Sequence, residues 1–233
     1  MKRFYKTATA EPDGDSAVIR LDGRLLKTPA KAEMRLPTLP LAEAIAAEWA
    51  AQQAEIRPST MPLMQLAATA IDRVSLDPRY ATDDVVRYGG TDLLAYRASE
   101  PAALAERQAA EWQPLLDWFR DRYDVQLNVT SGIMAVAQPA ELPARLERIC
   151  AGLDPYRLTA LHWATTNAGS VVLGLALLDG RLDAEAAHRT ALIDELHQAE
   201  RWGEDAEAAA RRTGLLADLQ AITRFLGLLR TGN

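Results

Sequence analysis

One cysteine, three histidines and none of the common glycine-rich loops leave this chain with little of the usual equipment of an enzyme. A P-loop, a dinucleotide-binding fingerprint and a serine-hydrolase elbow are all missing from the 233 residues. The cysteine, Cys150, cannot close an internal disulfide, which fits a reducing compartment. It falls with Leu142, Leu146 and Ile149 on the apolar side of a predicted helix and reads as packing. His162, His188 and His197 form no H-E-x-x-H pair. Basic residues are outnumbered, 26 Lys and Arg against 32 Asp and Glu for a net charge of −6, and they form no stripe of the kind that nucleic acid requires. Long apolar runs are missing too. The most apolar stretch, Val171 to Leu178, is far shorter than the roughly 20 residues that cross a bilayer, and no secretory signal opens the sequence. The expected setting is therefore the cytoplasm, without membrane insertion.

Aromatics make up only 6% of the chain while alanine supplies 43 residues. That balance favours helices, because alanine gives up no side-chain entropy there and sheets prefer β-branched and aromatic residues. The first forty residues are the exception. Short runs at Phe4–Ala8, Ser16–Leu21, Leu25–Thr28 and Glu33–Leu36 are separated by turn chemistry, and Asp22-Gly23 between two apolar runs is a strong hairpin signal. After Pro37 the period becomes helical: Leu41, Ile45 and Trp49 share one stripe, and Leu63, Leu66, Ala67, Ala70, Ile71 and Val74 share the next. A helix over Pro101–Tyr123 should be kinked or divided at Pro114. Val125–Val129 reads as a short strand that could rejoin the N-terminal sheet. Helices resume at Pro139–Leu153, Pro155–Thr166, Ser170–Leu178, Asp183–Trp202 and Glu204–Leu229, the last with a break near Gly214.

The expected fold class is thus α+β: a small N-terminal antiparallel β-rich domain with one helix over residues 1–60, then a larger all-α helical bundle over 61–233. Trp49, Trp112, Trp118 and Trp163 fall on apolar stripes and are expected to be structural. Asp92 and Arg97 flank an apolar segment, where opposite charges are expected to pair with each other or with a neighbour.

The densest polar signal runs from Asp194 to Glu207. On a helix Glu195, Gln198 and Trp202 return to nearly the same azimuth, so an acid, an amide and an indole point together. Two readings stand side by side. The plain one is a solvated acidic helix whose Trp202 packs inward. The sharper one is a partner-binding surface of Asp194, Glu195, Gln198, Trp202, Glu204 and Asp205, in which the indole is an anchor and the acids select a basic patch. A third possibility is a metal-dependent enzyme of helical-bundle type using Asp194, Glu195 and His197, although a di-iron bundle would want its acid-x-x-His motif twice.

Six motifs in order resemble one known family. They are Arg3-Phe4-Tyr5, Leu21-Asp22-Gly23-Arg24-Leu25-Leu26-Lys27-Thr28-Pro29, Ala47-Glu48-Trp49, Thr91-Asp92-Leu93-Leu94-Ala95-Tyr96-Arg97, Glu111-Trp112-Gln113-Pro114-Leu115-Leu116-Asp117-Trp118, and Asp194-Glu195 with Gln198 and Trp202-Gly203. Together they are similar to the assembly chaperones of the F-type ATP synthase catalytic head, the ATP-twelve family of mitochondria and alphaproteobacteria. The resemblance implies an orthogonal arrangement of the helices and a non-enzymatic, ATP-independent chaperone without cofactor. Such a protein would be a monomer when free, holding the unassembled alpha subunit until the beta subunit arrives. Ala95 stands where many relatives are expected to have cysteine, which argues against a redox role there. The early position of Arg3-Phe4-Tyr5 suggests a bacterial member or a mature form.

Overall fold

The computed structural model describes residues 1–131 and 134–230. The chain divides into two compact units. Unit 1 takes Met1–Tyr80, Pro155–Ala160 and the stretch beginning at Ala221; unit 2 takes Ala81–Asp154 and Leu161–Gln220. This differs from the boundary expected near residue 60, and Glu48 supplies a physical reason. Its two carboxylate oxygens accept from the Leu63 and Met64 amides, each at 2.9 Å. They satisfy two orphan donors at the start of the next helix and bind that helix to unit 1. Burial pushes the Glu48 carboxyl above its ordinary value, and these two amides pull against the shift.

Unit 1 is built on β1 (Ala8–Asp13) and β2 (Ser16–Leu21), antiparallel with Ala8 opposite Leu21 and Asp13 opposite Ser16. The other edge of β2 carries β3 (Arg24–Leu25) and β4 (Arg35–Leu36) in succession. Asp22 and Gly23 take φ of +48° and +81°, the left-handed backbone that a two-residue primed turn demands. The Asp22 carboxylate accepts from the Lys6 and Thr7 amides and the Thr7 hydroxyl, and these bonds hold its pKa below the usual range. Helix α1 (Leu39–Ala50) starts on the Thr38 hydroxyl, with Pro40 in its first turn. Leu41, Ile45 and Trp49 are buried on a helix that packs over β1 and β2. Tyr5 donates its hydroxyl to the Trp49 carbonyl at 2.7 Å and meets the indole edge-on. Helix α2 (Pro62–Thr69) widens into a π turn over Ala70–Val74. The unit is closed by residues distant in sequence: Tyr156 donates to the Arg35 carbonyl at 2.7 Å, and Thr38 donates to the Leu228 carbonyl at 2.9 Å.

In unit 2 the chain passes through α3 (Arg79–Gly90), β5 (Tyr96–Arg97), α4 (Ala102–Tyr123), β6 (Thr130–Ser131), α5 (Leu142–Ala151), α6 (Pro155–Ala168), α7 (Val171–Leu178), α8 (Ala184–Ala191), α9 (Ile193–Trp202) and α10 (Ala206–Arg230). The first two residues of α3, the opening of α6 and the close of α10 are assigned to unit 1. An antiparallel strand region followed by helices is the α+β class expected from composition.

Four local expectations are corrected. Of the kink or division expected at Pro114, the division does not occur, and α4 runs unbroken. Residues 110 and 114 are both exposed, so the carbonyl that lost its donor can turn to water. Val125–Val129 is not a strand. The Gln138 side chain takes both the Asn128 amide and its carbonyl, occupying the positions that a neighbouring strand would use. The two-residue β6 that follows pairs in parallel with β5 instead of joining the N-terminal sheet. The helix expected over Asp183–Trp202 breaks at Leu192 into α8 and α9, while α10 passes Gly214 without a break. Helix α7 is buried from Val171 to Leu177. There Gly174 is required by close approach: a Cβ at that position would lie 2.5 Å from the Thr165 hydroxyl of α6.

Candidate functional site

The break at Leu192 is where the polar residues of unit 2 converge, and α4 holds it in place. Two side chains one turn apart on α4 are wholly buried, Gln108 and Trp112. Trp112 Nε1 donates to the Thr190 carbonyl at 3.0 Å, beside the end of α8. Gln108 Nε2 donates to Asp194 in the first turn of α9, while its Oε1 accepts from the Ala98 amide at 2.7 Å. Asp194 therefore spends one carboxylate oxygen on fixing the corner.

Asp92 organises a second part of the same unit. It is fully buried and accepts from the Leu94 amide at 3.0 Å, the Ser170 hydroxyl at 2.8 Å and the Val172 amide at 3.2 Å. Ser170 in turn caps α7 through the Leu173 amide. A carboxylate at a helix start is favoured by the free amides and by the positive end of the helix dipole. Burial is nevertheless the larger effect, and the Asp92 carboxyl is pushed up to about 6. Asp92 and Arg97 do not pair with each other. Arg97 donates to Gln113 Oε1 at 2.8 Å, and burial lowers its guanidinium pKa.

Between the two supports lies a cleft of about 780 Å³. Thr91, Leu93 and Tyr96 line it from the segment around Asp92, Leu192 and Glu195 from the α8–α9 corner, and Arg211 and Leu215 from α10. Glu195 Oε2 accepts from Arg211 at 2.9 Å, with side-chain exposures of 35% for the acid and 68% for the arginine. It is a pair open to water.

The six residues expected to form one binding surface have different surroundings. Asp194 is tied to Gln108. Asp205 Oδ2 accepts from the Ala208 amide at 2.8 Å and so caps α10. Glu204 pairs with Arg212 at 2.6 Å. Glu195 faces the cleft, while Gln198 is exposed and makes no hydrogen bond among the described residues. Trp202 is 80% exposed, with Arg201 over its ring at 5.7 Å, so the inward-packed indole of the plain reading is not what the chain adopts. For the metal reading, Asp194 and Glu195 have other partners, and no group of three or more His, Cys, Asp or Glu among the described residues is placed to hold an ion.

Gln108, Ser170 and Arg211 are the structural supports to which sequence reasoning gave no role. A polar Gln108 on an otherwise apolar stripe, and a serine directly ahead of the apolar run Val171–Leu178, are signals that could have found the first two. Arg211 carries no local signal.

Comparison with known proteins agrees with this architecture. The family model described as ATP12 chaperone protein matches residues 2–120. The mitochondrial protein atp12 of Schizosaccharomyces pombe is 27% identical over 214 residues, which cover 87% of this chain and 74% of that protein. The crystal structure of Atp12 from Paracoccus denitrificans superposes with a TM-score of 0.91 at 43% identity, covering 98% of both chains. Atu1473 from Agrobacterium tumefaciens gives the same TM-score at 39% identity, over 98% of this chain and 86% of its own. By sequence over half its length and by fold over nearly all of it, the chain belongs to the ATP12 chaperone family.

Proposed function

We propose that this protein is an ATP-independent holdase for the alpha subunit of the F-type ATP synthase catalytic head, acting in the cytoplasm as a monomer without catalytic residue or cofactor. The observation that carries the reading is Trp202. A large indole left 80% exposed on the same helix as Gln198 and the half-exposed Glu195 is placed to anchor a partner. Tryptophan anchors flanked by polar groups are typical of binding hot spots. The α9 face and the adjoining cleft would mask a basic and apolar patch on the unassembled client. Anything that binds the folded client but not its aggregate shifts the balance by mass action alone, with no need for hydrolysis. Arrival of the beta subunit at the same patch would release the chaperone by competition.

Light scattering of alpha subunit diluted from denaturant tests this directly. Stoichiometric chaperone should suppress scattering equally with and without nucleotide, and Trp202→Ala should suppress it less. Failure to suppress, or suppression only with ATP, refutes the proposal.

A further inference from the structure

Unit 1 contains a second concavity, a groove of about 840 Å³, which the α9 reading leaves without a role. Its floor includes the buried side chains of Leu26, Trp49, Ile56, Met61 and Met64, and Met1 and Phe4 stand at its lip 74% and 66% exposed. One wall is a continuous stretch of chain, Arg24 through Pro29. Within it the Leu26 amide donates to the Ile19 carbonyl, and Leu25 faces Arg20 across β2. The alternation of an antiparallel ladder then turns the Leu25 amide and carbonyl away from β2, toward the open edge.

The rim is cationic. Arg24 and Lys27 are exposed, and neither side chain has a partner among the described residues. Asp22, which also lines the groove, spends its carboxylate on Lys6 and Thr7. All four lysines of the chain fall between positions 2 and 31, and all four are exposed. An apolar floor, an extended wall with an outward backbone pair, and unpaired cations at the rim together specify an occupant.

We propose that this groove binds an extended polypeptide segment in which apolar side chains alternate with carboxylates. The segment lies along Arg24–Thr28 as an added strand, with its apolar side chains in the floor on the face of Leu26 and its carboxylates on the opposite face beside Lys27; Arg24, which shares the face of Leu26, meets a carboxylate at the end of the segment. Methionines in the floor accommodate varied apolar side chains, which suits recognition of a pattern over that of one sequence. A bilayer fits less well, since most of the apolar surface is recessed where a plane cannot reach it. The inference concerns unit 1 alone and stands independently of the α9 reading.

The probe is a short fluorescein-labelled peptide alternating Leu and Val with Glu, measured by fluorescence polarisation beside its counterpart with Lys at each Glu. The acidic peptide should bind the full chain and the basic one should not. Arg24→Glu with Lys27→Glu should weaken binding at least about tenfold, or 1.4 kcal/mol, with an unchanged melting temperature because both residues are exposed and unpaired. Gln65→Trp, which fills the groove without altering its charge, should also block binding, whereas Trp202→Ala should leave it unchanged. The proposal is overturned if the charge-reversed and groove-filled variants bind like the parent, or if both peptides bind equally. It is equally overturned if phosphatidylserine vesicles bind where the peptide does not, or if the groove proves to be occupied by a second copy in a dimer that the double variant abolishes.

Discussion

Glu195→Lys separates binding from stability more sharply than any other single change in unit 2. In the folded chain Glu195 faces Arg211 at 2.9 Å with 35% and 68% of the two side chains exposed. Pairs this open contribute about 0.2–1 kcal/mol, because water screens them and two long side chains must be ordered. Reversal forfeits that and places two cations together at a comparable cost, so the total loss should be no more than about 2 kcal/mol. For a chain of this length each kcal/mol moves the melting temperature by about 2–4 °C, which bounds the drop at about 8 °C. Client affinity should suffer more. Reversing a charge that meets a basic patch turns attraction into repulsion, and a loss of at least about tenfold, or 1.4 kcal/mol, is expected. Thermal melts and titration of alpha subunit on the same preparations give both numbers. The charge-swapped pair Glu195→Lys with Arg211→Glu then isolates the cause: it should recover most of the melting temperature while leaving client binding weak. A melting drop well beyond that bound, or client affinity restored by the swap, would refute the assignment of Glu195 to the interface.

Trp49→Arg should remove folded protein almost entirely. The indole is buried against Tyr5, deletion of such a side chain costs about 3–5 kcal/mol, and the guanidinium would be stranded beneath the sheet; soluble yield and circular dichroism report it, and a near-normal melt would place Trp49 at the surface. Asp92 gives a pH test. Burial pushes its carboxyl up to about 6 when folded, above the ordinary carboxylate range, so its contribution to stability is fully present below about 4 and falls as pH rises toward 6. Asp92→Asn should lack that decline, so that urea midpoints of parent and variant differ most in the parent's disfavour above pH 6 if amide and carboxyl are otherwise equivalent. A difference independent of pH would show that Asp92 does not titrate in this range.

What could be read from the sequence was whatever neighbours decide. Asp22-Gly23 announces its hairpin because two residues with positive φ suffice to make one, and Leu41, Ile45 and Trp49 announce a buried face because 3.6-residue spacing suffices. The break between α8 and α9 could not be read, since no glycine or proline lies between residues 184 and 202. It is stabilised from α4 by Gln108 and Trp112, about eighty positions away. Asp92 illustrates a middle case: a partner was expected, either Arg97 or a neighbour, but not which neighbours. Amides and a hydroxyl near the start of α7 satisfy a buried carboxylate from several directions at once, which Arg97 alone could not do.

The hydrogen bond from Thr38 to the Leu228 carbonyl spans 190 positions, and the Tyr156 ring meets Phe225 at 6.3 Å in the same unit. During synthesis the first strands and α1 therefore leave the ribosome long before the residues that complete their packing exist. The N-terminal sheet must wait, partly uncovered, through the translation of all of unit 2. Long-range closure of this kind slows folding and leaves apolar surface open to misassociation in the interval. A protein of a chaperone family is in this respect a candidate for chaperoning itself, and its yield in a cell should depend on how quickly its last helix follows its first.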